Sequence, residues 1–134
     1  MKTVVIFGVF DGLHEGHRAF IQEAKTYGDK LIAIIARDEN VYRLKKRNPK
    51  NNEEKRLSEI KTLPDIYEAY LGDEKEGEYA LLKSISPDSI CLGYDQQGLL
   101  ENIKENIKIG MLPSISLIIA KPFKPEEFHS SLLY

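Results

Sequence analysis

Residues 8 to 17 read "GVFDGLHEGH", and what flanks them decides the fold. Before them runs "TVVIFG" (3 to 8), a short β-branched stretch of the kind that forms a buried parallel strand. After them Phe20, Ala24 and Tyr27 recur at helical spacing. The stretch is a strand-to-helix turn, in which Gly8 closes the strand and Gly12 permits a tight bend. A helix starting around His14 or Glu15 sets His14 and His17, three apart, on one face of its first turn.

The same alternation continues along the chain. Strands are expected at "KLIAIIA" (30 to 36), "SICLG" (89 to 93) and "SISLIIA" (114 to 120), with a weaker one at "IYEAYLG" (66 to 72). Helical patterns fall between them, at Leu57 and Ile60, at Leu81, Leu82 and Ile85, and at Leu99, Leu100, Ile103 and Ile107. Strands separated by helices imply right-handed crossovers, hence an α/β fold: a doubly wound, Rossmann-like, parallel five-stranded sheet with helices on both faces. Ligands of such sheets bind beyond the carboxyl ends of the strands, near the point where strand order reverses. The turn after the first strand is therefore where a site is expected.

The 134 residues suit a single domain, 1–134, and a charged fraction of 30% beside 42% hydrophobic residues is that of an ordinary globular chain rather than a disordered one. The start, "MKTVVIF", has the lysine and apolar run of a signal peptide but meets "DGLHEGH" with no small-residue cleavage site, so a strand is expected there. No apolar stretch approaches the roughly 20 residues of a membrane helix, and a cytoplasmic protein without a membrane partner is expected. Cys91, the only cysteine, sits in an apolar run and reads as a buried small hydrophobe. Charge is unevenly spread: residues 43 to 56, "RLKKRNPKNNEEKR", carry seven basic side chains against two acids, while Asp65 to Glu78 is acidic. A local basic segment in a chain of net charge −2 points to a small anionic ligand rather than to nucleic acid.

A helix N-terminus presents unpaired N–H groups and a partial positive charge, which favour an anion such as phosphate. Gly16, between the histidines, lets a ligand approach the backbone, and two imidazoles add hydrogen-bond donors. That arrangement suits phosphoryl or nucleotidyl transfer, in which catalysis is mostly positioning and charge stabilisation. Two histidines at this spacing could also hold a metal, but zinc wants a third protein ligand and only Asp11 is near in sequence, so no protein metal site is expected. A pair of plain surface histidines leaves the glycine between them unexplained.

The motif resembles the G-x-F-D-x-x-H-x-G-H signature of the cytidylyltransferase-like nucleotidyltransferase superfamily. The likeness continues through "YGDKLIAIIARDENV", "RLKKRNP", "EEKR", "PDSICLGYDQ" and "FHSSLL", nearly the whole chain in order. "LGYDQ" and "FHSS" are most similar to the small stand-alone archaeal-type FAD synthases, which transfer AMP from ATP to FMN. Cytidylyl or adenylyl transfer to a polyol phosphate or a heptose phosphate is the alternative within the superfamily. Two departures stand out: Val9 occupies a position that often carries Thr or Ser, and "KPEEFHSS" (124 to 131) replaces the Arg-x-x-Gly-Ile-Ser-Thr-Thr signature, with Lys124 at the arginine position and Ser130 and Ser131 at the threonines. The chain also ends at Tyr134, soon after that motif.

The resemblance implies the following roles. His14, His17 and Lys124 carry catalysis, and Mg²⁺ enters with ATP. The nucleotide lies against Val9, Phe10, Gly16, Gly93, Asp95, Gln96, His129, Ser130 and Ser131 as well as the two histidines. Asp11, Lys45, Arg47 and Arg56 hold the acceptor phosphate. Relatives often form homodimers. A nucleotide-binding sensor without turnover is the reading from a different class, since fold does not imply function; the paired imidazoles count against it, because phosphate binding alone does not need both.

Overall fold

The computed structural model describes residues 1–75 and 77–122. Five strands, β1 (Thr3–Gly8), β2 (Lys30–Ile35), β3 (Glu68–Leu71), β4 (Ser89–Leu92) and β5 (Ser116–Ile119), form one sheet in the order β3-β2-β1-β4-β5. Every pairing is parallel, with Val4 beside Leu31 on one side and beside Ser89 on the other. Strand order reverses at the central β1, so the turn after it opens at the crevice between β1 and β4.

Alternation along β1 divides the core. Val4 and Ile6 face the helices α1 (Glu15–Lys25) and α3 (Glu53–Lys61), packing with Phe20, Ile21, Ala24 and Ile60. Val5 faces the other way, toward α4 (Ala80–Ile85) and α5 (Gln97–Lys108), packing with Leu82, Leu100 and Ile103. Helices thus cover both faces, and each fully buried aliphatic side chain contributes roughly 1.5–3 kcal/mol. Cys91 is fully buried, and burial pushes its thiol up to about 12, with the Glu23 charge adding to the rise, which leaves it chemically inert. No helix among the described residues is long and apolar enough to cross a membrane.

One element differs from the sequence reading. Helix α2 (Asp38–Lys45), absent from the helical patterns read above, takes up the first residues of the basic segment, and α3 its last. Helix α2 has a weak pattern: Val41 and Asn40 are buried while Tyr42 and Leu44 are half exposed. Lys46, in the left-handed conformation, ends it by donating its N–H to the Tyr42 carbonyl.

The return from α1 into β2 passes against the start of β1. A Cβ at Gly28 would lie 2.6 Å from Val4 Cγ2 and 2.9 Å from the Lys2 carbonyl oxygen, and the second of these is backbone that cannot swing aside. Gly28→Ala is expected to lower unfolding free energy by roughly 1–3 kcal/mol, read as a lower urea midpoint with unchanged m.

Candidate functional site

The turn after β1 is held by an aromatic wedge. Phe10 is buried, adopts φ 52° and lays its ring over Gly8, where a Cβ would come within 2.6 Å of the ring. A bulky residue in the left-handed region is strained, and such strain persists where the surroundings over-determine it. The edge of the ring meets the His17 imidazole at a centroid distance of 5.5 Å and 66°. Gly12, at φ 71°, then completes the bend.

His14 is the N-cap of α1. Its Nδ1 accepts hydrogen bonds from the Gly16 N–H at 3.0 Å and the His17 N–H at 3.3 Å, while His17 Nδ1 accepts the His14 N–H in return at 3.4 Å. This is a reciprocal capping box built from imidazoles, with the rings stacked at 3.7 Å and 21°. An Nδ1 that accepts cannot carry the proton, so the hydrogen-bond pattern assigns the proton of each neutral ring to Nε2. Burial holds the His14 pKa below its ordinary value, which favours that neutral form. The paired side chains thus present N–H donors, not bases, at the positive end of a helix.

A polar frame ties this turn to the basic segment. Asp11 accepts the Lys50 N–H at 2.7 Å and, through Oδ1, both the Asn51 N–H and its Nδ2 at 3.0 Å. Arg56 is fully buried, donating Nη1 to the Val9 carbonyl (2.9 Å), Nε to the Asn51 carbonyl (3.1 Å) and Nη2 to Asp38 (2.7 Å). Asp38 and Glu53, each at the first residue of its helix, accept each other's N–H groups, so the starts of α2 and α3 cap one another.

On the α4 and α5 side of the sheet lies a cavity of about 600 Å³. Its floor is the carboxyl end of the sheet at Phe7, Ile34 and Ile35, and its apolar walls include Leu82 and Leu99. Lys45, at the end of α2, and Asp95, ahead of α5, both line it. Burial and the neighbouring Arg47 charge lower the Lys45 pKa, with Asp11 and Asp95 acting the other way. Gln96 locks the far wall: it accepts the Gly93 N–H at 2.8 Å and donates to the Phe7 carbonyl at 2.9 Å.

With the turn, the frame and the cavity in view, comparison with known proteins places the chain. The sequence matches the cytidylyltransferase-like family over residues 5–133. The chain belongs to that family. It is 41% identical to the FAD synthase of Methanosarcina barkeri over 85% of this chain and 80% of that one. It is 42% identical to the FAD synthase of Ferroglobus placidus over 90% and 78%. Among solved structures it is similar to a lipopolysaccharide core biosynthesis protein from Thermoplasma volcanium, with a TM-score of 0.82 and 31% identity over 92% of this chain and 99% of that one.

For a cytidylyltransferase-like chain the site residues then sort as follows. His14, Gly16 and His17 come together at the start of α1. Lys45 and Asp95 share the cavity, and Arg47 lies near enough for its charge to act on Lys45. Arg56, expected from the sequence at the acceptor phosphate, is fully buried and bonded to two carbonyls and Asp38, and it positions the turn. Asp11 likewise grips backbone, and the Phe10 ring packs inside rather than facing a ligand. Lys124, His129, Ser130 and Ser131 lie outside the described residues. Sequence reasoning missed Arg37, Asn40, Asp73 and Tyr79, all of which line the cavity. The "LGD" that closes β3 was the available signal, since sites gather beyond strand carboxyl ends.

Two measurements test this geometry. Arg56→Met leaves the Val9 and Asn51 carbonyls without their donor, and with Asp38 still about a third exposed the loss is expected at about 2–3 kcal/mol, below that of a wholly buried pair. A urea midpoint equal to wild type contradicts the frame. His14 carries a depressed pKa, so below its unfolded value of 6.5 the unfolded chain binds more protons than the folded one. The stability is complete above 6.5 and is lost as pH falls through the folded pKa. His14→Asn keeps a capping side chain that does not titrate, so between pH 7 and 5 its midpoint is expected to fall less than that of wild type.

Proposed function

We propose that the chain transfers AMP from ATP to FMN, giving FAD and pyrophosphate. The observation that carries this reading is the 39–42% identity to archaeal FAD synthases over most of the chain. The site's chemistry supports it. An oxygen of the FMN phosphate attacks the α-phosphorus in line, the bond from that phosphorus to the bridging oxygen breaks, and its electron pair leaves with pyrophosphate. A phosphate nucleophile is already anionic, so no base has to remove a proton. Two Nε2–H donors at a helix N-terminus suit that requirement, because they stabilise negative charge as it builds on the α-phosphate. Mg²⁺ arrives as part of the MgATP substrate, held mainly by phosphate oxygens.

The cavity favours FMN over a small polyol phosphate. Its volume, about 600 Å³, lies within the range of pockets that enclose small ligands, and its apolar floor and walls suit a flat aromatic ring. Lys45 at its edge is placed in the acceptor-phosphate role, with Arg47 adding positive charge. A sugar phosphate acceptor keeps second place, on the likeness to the lipopolysaccharide core biosynthesis protein. Lys124, His129, Ser130 and Ser131 belong in this proposal to the triphosphate clamp, Gly16, Gly93 and Val9 to the nucleotide's backbone contacts, and the reaction to the cytoplasm.

The test is pyrophosphate release with ATP or CTP crossed with FMN, glycerol 3-phosphate and heptose 1-phosphate, with FAD identified as the product of the ATP and FMN pair; CTP with a polyol phosphate as the better pair replaces the reading. His14→Asn is expected to fold while losing roughly 10²-fold or more in kcat with a smaller change in ATP KM, since a donor aimed at transition-state charge acts there. Lys124→Met is expected to lower kcat and raise ATP KM, whereas Lys124→Arg retains much of the activity.

A further inference from the structure

Helix α2 turns one stripe toward the cavity. Arg37, Asn40 and Leu44, spaced three and four apart, all line it. The two polar members of the stripe hold the helix in place. Arg37 Nε donates to the Gly72 carbonyl at 2.7 Å and Asn40 Nδ2 to the Asp73 carbonyl at 3.2 Å, which stitches α2 to the residues that follow β3. Val41, only 3% exposed, supplies the apolar anchor. Leu44 is left 51% exposed at the cavity.

Scattered apolar side chains on a protein surface need no explanation. Leu44 differs from the others by its place. Of the large hydrophobic side chains exposed among the described residues, Leu44 alone borders the cavity; Tyr67, Ile109 and Met111 lie elsewhere. The next residue, Lys45, borders the same cavity, and the Asp11 carboxylate in the turn after β1 acts on its charge. The last turn of α2 therefore sets a cation and an uncovered apolar side chain next to each other at one cavity.

We infer that Leu44 is a specificity-determining residue for the acceptor, covering part of its aromatic ring while Lys45 meets its phosphate. This rests on the FMN reading and deepens it. FMN is a flat ring joined through a five-carbon polyol chain to a phosphate, so its two ends call for an apolar cover and a cation. A polyol or sugar phosphate offers Lys45 the same phosphate but gives Leu44 nothing to cover. Taking the half-exposed leucyl surface out of water favours the acceptor with a ring by roughly 3- to 10-fold.

Leu44→Ala removes the contact and, with Arg37, Asn40 and Val41 still holding the helix, is expected to fold with a urea midpoint close to that of wild type. FMN Kd from flavin fluorescence titration of the full chain, and FMN KM, are each expected to rise about 3- to 10-fold, with ATP KM and kcat at saturating FMN changed less than about 2-fold. Leu44→Met restores FMN binding, and Leu44→Gln, close in size but polar, repeats the loss without leaving a gap. Ribitol 5-phosphate, which is FMN without its ring, separates a ring contact from a displaced helix. As a competitor against FMN it is expected to inhibit wild type and Leu44→Ala with the same constant. Equal weakening of FMN and ribitol 5-phosphate overturns the inference, and so does an unchanged FMN Kd; a raised ATP KM beside that unchanged Kd assigns Leu44 to the nucleotide instead. A wild-type chain that binds FMN in a Leu44-dependent way but forms no FAD supports the contact and rejects the reaction, whereas one that binds no flavin overturns both.

Discussion

The exchange of hydrogen bonds between His14 and His17 at the start of α1 fixes more of this protein than any other contact. A helix needs partners for its first N–H groups, and here the partners are two Nδ1 atoms rather than the hydroxyl and carboxylate of the usual box. Accepting at Nδ1 sets the tautomer, stacks the rings and aims both remaining N–H edges by the same act. A capping histidine is thereby a hydrogen-bond donor held in place by the folding of its own helix. Preorganisation costs no further reorganisation at the moment of reaction.

That arrangement depends on the turn before it, and the turn depends on groups distant in sequence. Arg56 reaches back 47 residues to the Val9 carbonyl, and Asp11 reaches forward to the amides of Lys50 and Asn51. The histidine turn and the segment bearing Lys45 and Arg47 are consequently one frame. Displacing either end shifts the histidine donors and the Lys45 and Arg47 cations together, and an in-line displacement is sensitive to shifts of about 1 Å.

Most of the fold was legible because the buried strands are short, β-branched and separated by helical patterns; all five strands fall within the stretches read from sequence. Helix α2 was not, because Val41 supplies nearly all of its apolar anchoring and its other large apolar side chains face water. The histidine pair was legible as two residues on one helical turn, but its tautomers were not, since those depend on which backbone N–H groups the rings meet. The burial of Arg56 was not legible for a physical reason: a basic run looks like solvated surface or an anion site, and nothing in "EEKR" reveals that one guanidinium bonds the Val9 carbonyl. Asp73 and Tyr79 were missed because they come together only when β3 and α4 reach the end of the sheet.

The division of the core into two faces also divides the chemistry. On the α1 side the sheet ends in backbone dipoles and neutral N–H donors, a place for charge that develops during reaction. On the α4 and α5 side it ends in an apolar floor bordered by charged side chains, Arg37, Lys45, Asp73 and Asp95 among them. Gln96 joins the two, because one side chain bonds the Phe7 carbonyl near the end of β1 and the N–H that follows β4. The crevice at the switch point is thus held open by a neutral amide. Neither of its hydrogen bonds involves a titratable group, so this bridge does not depend on pH in the way the His14 cap does.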